Sequence, residues 1–293
     1  MRQPAAIVSG KTEIYIGTTM TPESSSNFGK TSPLIETDWL FRHLKDKDIR
    51  IVDLRSQEEY NKGHIRNAVH LNFNEITGDE TVKRKLPPEI TQDILGNLGI
   101  DKNILVVAYD NDFSHYAARL FWILEYFGHK KVTILNGGYK KWQKENREIT
   151  NLEPIIERTI FKSQPDSNKV ATADYVLKNI SNPGVVLLDV RSAEEYRGEK
   201  IRAKRGGHIP GAVNIEWKRS MNEDHTFKNP QELNEMFNKL GVTKDKEIIT
   251  YCQLAVRASH TYFTLKMLGY PDVRVYNGSW GEWGNDLSLP IET

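Results

Sequence analysis

The chain has 293 residues, 38% of them hydrophobic and 27% charged, which is enough for two ordinary domains, each with its own core. Its 40 Lys and Arg against 39 Asp and Glu leave a net charge of +1, so no nucleic-acid or membrane partner is expected from bulk electrostatics. No apolar run approaches the roughly 18 residues of a membrane helix, and the single cysteine, Cys252, excludes an internal disulfide or a thiolate cluster, so neither metal nor cofactor is expected.

Residues 1–31 are Ser/Thr/Pro/Gly-rich towards their end and read as an arm or disordered leader. They hold no apolar signal core, so a cytoplasmic location is expected; organelle targeting stays open, with Glu13 and Glu23 counting against it. Ile49 to Leu54 is a short apolar run ending in polar residues, the pattern of a strand buried on both faces. Pro88 to Leu98 is amphipathic, Ile104 to Tyr109 is a second strand, and Ala117 to Phe127 is apolar on most faces and predicts a buried helix. Residues 151–167, with Pro154, Pro165 and the run SQPDSN, have linker composition. The same succession then returns, with strands at Val185 to Val190 and Glu247 to Tyr251 and an amphipathic helix at Pro230 to Leu240. Strand–helix alternation predicts an α/β fold with a mainly parallel sheet flanked by helices in each half.

The two halves share a sequence. IVDLRSQEEY at 51–60 answers LLDVRSAEEY at 187–196. Gly63-His64-Ile65 answers Gly207-His208-Ile209, and Leu98-Gly99 answers Leu240-Gly241. Asn136-Gly137-Gly138-Tyr139 with Trp142 answers Asn277-Gly278-Ser279-Trp280 with Trp283. Blocks that keep their order over a period of roughly 140 residues mark two homologous domains, 32–150 and 168–293.

Aligned without a gap from the Leu-Gly pair, ILVVAYD ending at Asp110 matches KEIITYC ending at Cys252, 142 residues later. Both residues end a buried strand and precede a helix, the place where open α/β sheets bind ligands. Helix N-terminal N–H groups there favour an anion such as a thiolate. Cys252 is therefore read as a nucleophile rather than as core filler, and Asp110 as its counterpart in a half without a sulfur carrier. His64 and His208 read as turn-stabilising, Asp53 and Asp189 as caps or holders of Arg55 and Arg191, and the tryptophans 142, 280 and 283 as packing.

The loop Cys252-Gln253-Leu254-Ala255-Val256-Arg257 resembles the active-site loop of the rhodanese family. So do Asp189-Val190-Arg191 with Glu194-Glu195-Tyr196, the turn Gly207-His208-Ile209-Pro210-Gly211-Ala212, and Gly278-Ser279-Trp280 with Trp283. The resemblance covers nearly everything after about residue 33 and is closest to tandem thiosulfate and 3-mercaptopyruvate sulfurtransferases, with an inactive first domain and a catalytic second one. It implies two rhodanese-like domains and a pocket between them, walled by first-domain residues near Phe113 to Tyr116. It also implies a Cys252 persulfide, a small-molecule sulfur donor, a thiol or cyanide acceptor, and ping-pong kinetics; a monomer is expected. Backbone N–H groups of 253–257 would hold the anion. Arg257 is either a loop clamp or a contact to the donor's oxyanion. The sequence departs from the family at Glu195, where many relatives place a substrate-binding arginine; Arg197, or Arg202 or Arg205 from the basic stretch KIRAKRGG, would supply that charge. The loop matches neither the thiosulfate nor the mercaptopyruvate pattern, and the run CQLAVRASHTYF with YRGE favours thiosulfate. A catalytically silent interaction module is the reading from another class. Phosphatase chemistry needs five residues between cysteine and arginine, and here four intervene.

Overall fold

The computed structural model of the chain describes residues 32–77 and 88–293, so the arm expected at 1–31 lies outside the described residues. In chain order the first half holds β1 (Leu34–Ile35), α1 (Thr37–Arg42), β2 (Ile49–Asp53), α2 (Gln57–Lys62), β3 (His64–Ile65), β4 (Ala68–His70), α3 (Phe73–Thr77), α4 (Pro88–Asn97), β5 (Leu105–Tyr109), α5 (His115–Tyr126), β6 (Val132–Leu135), α6 (Gly138–Lys144) and β7 (Ile149–Thr150). The second holds β8 (Val170–Ala171), α7 (Ala173–Asn179), β9 (Val185–Asp189), α8 (Ala193–Tyr196), β10 (Val213–Asn214), α9 (Pro230–Asn238), β11 (Glu247–Tyr251), α10 (Val256–Met267), β12 (Val273–Tyr276) and α11 (Ser279–Trp283).

The first sheet runs β1-β6-β5-β2-β4 and the second β10-β9-β11-β12-β8, with every pairing inside them parallel. Read from opposite ends the two orders are the same, so the duplication seen in the sequence extends to topology. The central strand β5 is apolar and buried throughout, and its counterpart β11 is buried from Ile248 to Tyr251, as expected for parallel strands covered on both faces. The short antiparallel ladder of β3 with β7, His64 opposite Thr150, was not foreseen; two-residue strands carry no readable periodicity.

The near-continuous apolarity of α5 has a physical reason. One face covers its own sheet and the other packs on α10 of the second half. Phe121 meets Phe263 edge-on at 4.9 Å, the Tyr262 hydroxyl donates to Glu125 at 2.6 Å, and Arg119 donates to Ser259 Oγ at 3.2 Å. One apolar cluster therefore runs through both halves. Residues 151–166 form no regular element and strap the first half, with Thr159 N donating to Gly96 O at 3.0 Å and Gln164 N to Phe127 O at 2.9 Å. Gly96 is required there, since a Cβ would lie 2.7 Å from Thr159 O.

Candidate functional site

A buried ion pair underlies each strand-end loop. Asp189 accepts from the Arg191 backbone N at 2.9 Å and from Nη2 at 2.5 Å, and the same Nη2 donates to Gly207 O at 2.8 Å. Asp53, Arg55 and Gly63 repeat this with 2.9, 2.6 and 2.8 Å. His208 and His64 each place Nδ1 2.9 Å from a backbone carbonyl, of Tyr196 and Tyr60, and each stacks on that tyrosine. Fully paired and buried, these groups are scaffold. Trp142, Trp280 and Trp283 are core residues.

The first-half loop shows what the backbone there binds. Asp110 Oδ1 accepts from the N–H groups of Asp112 and Ser114 at 2.9 Å each. Oδ2 accepts from Tyr116 at 2.9 Å and Ala117 at 3.0 Å. One carboxylate thus gathers four main-chain donors at the start of α5, an anion cradle closed by its own chain.

The second-half loop is one residue shorter, which corrects the ungapped alignment beyond Cys252. Four residues, 111–114, separate Asp110 from α5; three, 253–255, separate Cys252 from α10. The last loop residue is left-handed in both, Ser114 at φ 61° and Ala255 at φ 63°, while Phe113 at φ 54° is the extra one. From there the repeat runs at 141 residues, as Gly128 and Gly269 confirm just beyond the helix ends. Arg257 therefore stands opposite Tyr116.

Cys252 follows β11 and is 1% exposed, while Gln253, Leu254, Val256 and Arg257 around it are half-buried. Its backbone N donates to Ser279 Oγ at 3.2 Å, and its carbonyl accepts from Trp280 N at 2.9 Å. Gln253 O accepts from Gly281 N at 2.9 Å, so the start of α11 fastens the loop. Ser279 is fully buried at φ 52°, a region costly for a residue with a Cβ. Its Oγ also donates to Tyr276 O at 2.8 Å. The first half has Gly138 in that place, where a Cβ would lie 2.3 Å from Asp110 O. In sequence Ser279 reads only as part of the Gly278-Ser279-Trp280 motif; the Gly138-to-Ser279 difference between the halves was the signal.

Arg257 is held by a residue the motif comparison treated only as a departure. Its Nη1 and Nη2 donate to Glu195 Oε2 and Oε1 at 2.7 and 3.1 Å, a bidentate pair around a carboxylate that is 2% exposed. The pair holds the Arg257 guanidinium at the start of α10. Burial acts to raise the Glu195 pKa, but the hydrogen bond and charge of Arg257, the Ser192 backbone and the charge of Arg202 outweigh it and hold it at about 2. Burial alone would weaken the charge on Arg257; the Glu195 hydrogen bond and the proximity of Cys252 strengthen it instead. Arg197, expected near the donor, instead pairs with Glu199 at 2.7 Å on the surface. Arg205 donates to the carbonyls of Leu289 and Trp283 at 2.9 and 3.1 Å. Arg202 Nε lies 3.5 Å from Glu195 Oε1, and the Arg202 carbonyl accepts from Gln253 Nε2 at 3.0 Å.

Phe113 and His115 of the first half meet the second half. Phe113 stacks on His225 at 3.8 Å and meets Trp217 edge-on at 6.3 Å; His115 approaches Trp217 at 5.4 Å. Trp217 in turn packs on His260 of α10, which burial pushes down to about 3, so that ring is neutral. Among the described residues no group of three His, Cys, Asp or Glu converges to hold a metal, and no helix is long and apolar enough to cross a membrane.

The chain is a tandem, duplicated parallel α/β domain, with a carboxylate seated on backbone N–H groups at one strand end and a cysteine at the matching strand end of the other copy. The rhodanese-like domain family matches residues 36–145 and 172–286, and the chain belongs to that family. It is 39% identical to the sulfur carrier protein TtuD of Thermus thermophilus over 272 residues, 88% of this chain and 95% of that protein. It is 35% identical to the thiosulfate sulfurtransferase of Azotobacter vinelandii over 268 residues, 91% of this chain and 99% of that protein. A structure of EanB with ergothioneine covalently linked with a persulfide cysteine superposes at TM-score 0.80 with 28% identity, covering 89% of this chain and 70% of that one.

Proposed function

We propose that the protein is a thiosulfate sulfurtransferase that carries sulfane sulfur as a persulfide on Cys252. The observation that carries this reading is the Asp110 carboxylate seated on four backbone N–H groups. The first-half loop is wrapped around an anion, and the second half puts the chain's only cysteine at the matching strand end. The names of the relatives and the persulfide in the EanB structure point the same way.

The Cys252 thiolate attacks the outer sulfur of thiosulfate. The donor's S–S bond breaks, its electron pair leaves on sulfite, and a Cys252 persulfide anion remains. A thiophile then takes the outer sulfur: cyanide becomes thiocyanate and the thiolate is restored. Two half-reactions through one covalent intermediate give ping-pong kinetics. Loop amides stabilise the sulfur anion in both states without reorganising, and the Glu195–Arg257 clamp fixes the turn that aims them. Asp110 leaves the first half without a sulfur carrier.

Intact-mass measurement after incubation with thiosulfate tests the reading. The wild type gains one sulfur atom, lost again on adding cyanide, and Cys252→Ser gains none while remaining folded. A Cys252→Ser protein that still turns thiosulfate and cyanide into thiocyanate at the wild-type rate refutes it.

A further inference from the structure

The Cys252 loop is pinned at both ends, and both pins lead back to one side chain of the other half. At its start, the Cys252 amide donates to Ser279 Oγ and the Cys252 carbonyl accepts from Trp280 N, so the turn that opens at Asn277 holds the cysteine's backbone. At its end, Ser259 donates to the Ala255 carbonyl through both its amide and its hydroxyl, each at 2.9 Å, and Ala255 is the left-handed residue that closes the loop. Arg119 of α5 reaches across from the first half. It donates Nη2 to Asn277 Oδ1 at 2.7 Å and Nη1 to Ser259 Oγ at 3.2 Å. The residue is fully buried, and its guanidinium lies over the Trp122 ring at 4.4 Å. A charge taken wholly out of water is costly, and an apolar side chain would fill a helix–helix contact at less cost. What the guanidinium adds is a planar fork whose donors stand at a fixed spacing.

The repeat makes this reach one-sided. At the spacing of 141 residues the twin of Arg119 in α10 is His260, a neutral ring packed on Trp217 and Phe227. Asn136, the twin of Asn277, is also gripped by the opposite half, but by backbone alone: Phe227 N donates to its Oδ1 at 3.0 Å. Each half therefore holds the turn beside the other's strand-end loop, and of the two twinned positions the one that serves the cysteine carries the fork. We infer that Arg119 is a positioning residue: by joining Asn277 to Ser259 it lets the sulfur-free half hold the Cys252 loop in the shape that presents the thiolate to the donor. This rests on the sulfur-transfer reading above. Arg119 acts through the geometry of the loop, so its contribution is to bond making at sulfur more than to capture of the donor.

Sulfur loading of the full chain, quenched at timed intervals and read by intact mass over a range of thiosulfate concentrations, separates the saturating rate from the half-saturating concentration. Arg119→Gln is expected to lower the saturating rate roughly tenfold, the scale of a slightly misplaced reacting group. The half-saturating concentration should stay within about twofold. Arg119→Lys keeps the charge but offers one nitrogen in place of a fork, so it should stay closer to Arg119→Gln than to wild type. Asn277→Ala removes one acceptor and leaves α5 intact; it should slow loading in the same sense, and adding Arg119→Gln to it should slow it little further. Tyr262→Phe deletes the bond to Glu125 in the same helix contact and should load at the wild-type rate. Wild-type loading in folded Arg119→Gln or in Asn277→Ala overturns the inference, as does a change confined to the half-saturating concentration, full recovery in Arg119→Lys, or equal slowing in Tyr262→Phe. If Arg119→Gln does not fold, Asn277→Ala decides alone. Failure of the underlying reading is distinct: there the wild-type protein itself gains no sulfur from thiosulfate.

Discussion

Replacing Asp110 by alanine probes how much of the fold rests on the filled cradle. The carboxylate accepts four backbone bonds at 2.9 to 3.0 Å, and Ser114 and Ala117 among the donors are buried. A hydrogen bond to a charged group contributes about 1.5–3 kcal/mol, and a buried donor left unpaired costs about 1–3 kcal/mol. The four terms do not add, because water enters the vacated space and single substitutions rarely exceed about 4–5 kcal/mol. The expected loss is therefore about 2–4 kcal/mol, or a fall in melting temperature of roughly 2–4 °C per kcal/mol for a chain of this size. Urea and thermal denaturation read it directly. Thiosulfate loading of Cys252 under native conditions should fall far less than in Cys252→Ser, since no sulfur is carried in the first half. An Asp110→Ala protein within about 0.5 kcal/mol of wild type, the range of an inconsequential surface change, would refute the claim that the carboxylate organises this loop.

Ser279→Gly relieves the left-handed strain but removes the oxygen that holds the Cys252 amide, so near-wild-type stability with a several-fold drop in the sulfur-loading rate is expected; Ser279→Ala should lose about 1–3 kcal/mol as well. The Glu195 carboxylate, ionised in the fold down to about pH 2 against an ordinary 4.5, contributes of order 3 kcal/mol. Because its folded pKa is depressed, that stability is fully present above about pH 4.5 and drains away as pH falls towards 2; acid unfolding of Glu195→Gln should lack this component, and an unchanged acid limb would count against the pairing. Gly96→Ala forces a Cβ to 2.7 Å from Thr159 O, so loss of stability by about 1–3 kcal/mol and faster proteolysis within residues 151–166 are expected, and resistance equal to wild type would show that the strap can shift freely.

Much of this was readable before any coordinates. Asp53 and Asp189, Arg55 and Arg191, and His64 and His208 announced the repeat because a buried ion pair and a tight turn tolerate few alternatives. The strand ends at Asp110 and Cys252 were placed correctly because the apolar runs before them are short and sharply bounded. The shortened loop after Cys252 was not visible, since one missing residue leaves both helix patterns intact and only backbone conformation at Ser114 and Ala255 fixes the phase. Glu195 escaped for a different reason. It sits in a segment reading as an ordinary capping box, Ser192 to Glu195, and only the fold brings Arg257 from 62 residues away to meet it. Arg197 lay closer in sequence to the expected position but is drawn off by Glu199, two residues on.

The contact of α5 with α10 bears on what the duplication became. Each of these helices shields its own sheet with one side and its twin with the other, so neither repeat owns a complete interior. A severed C-terminal half would present Phe263 and Tyr262 to water, and the same holds for Phe121 on the other piece. The sulfur-free copy thereby serves as the cover of the other's exposed side, and a stand-alone C-terminal half would need that helix resurfaced.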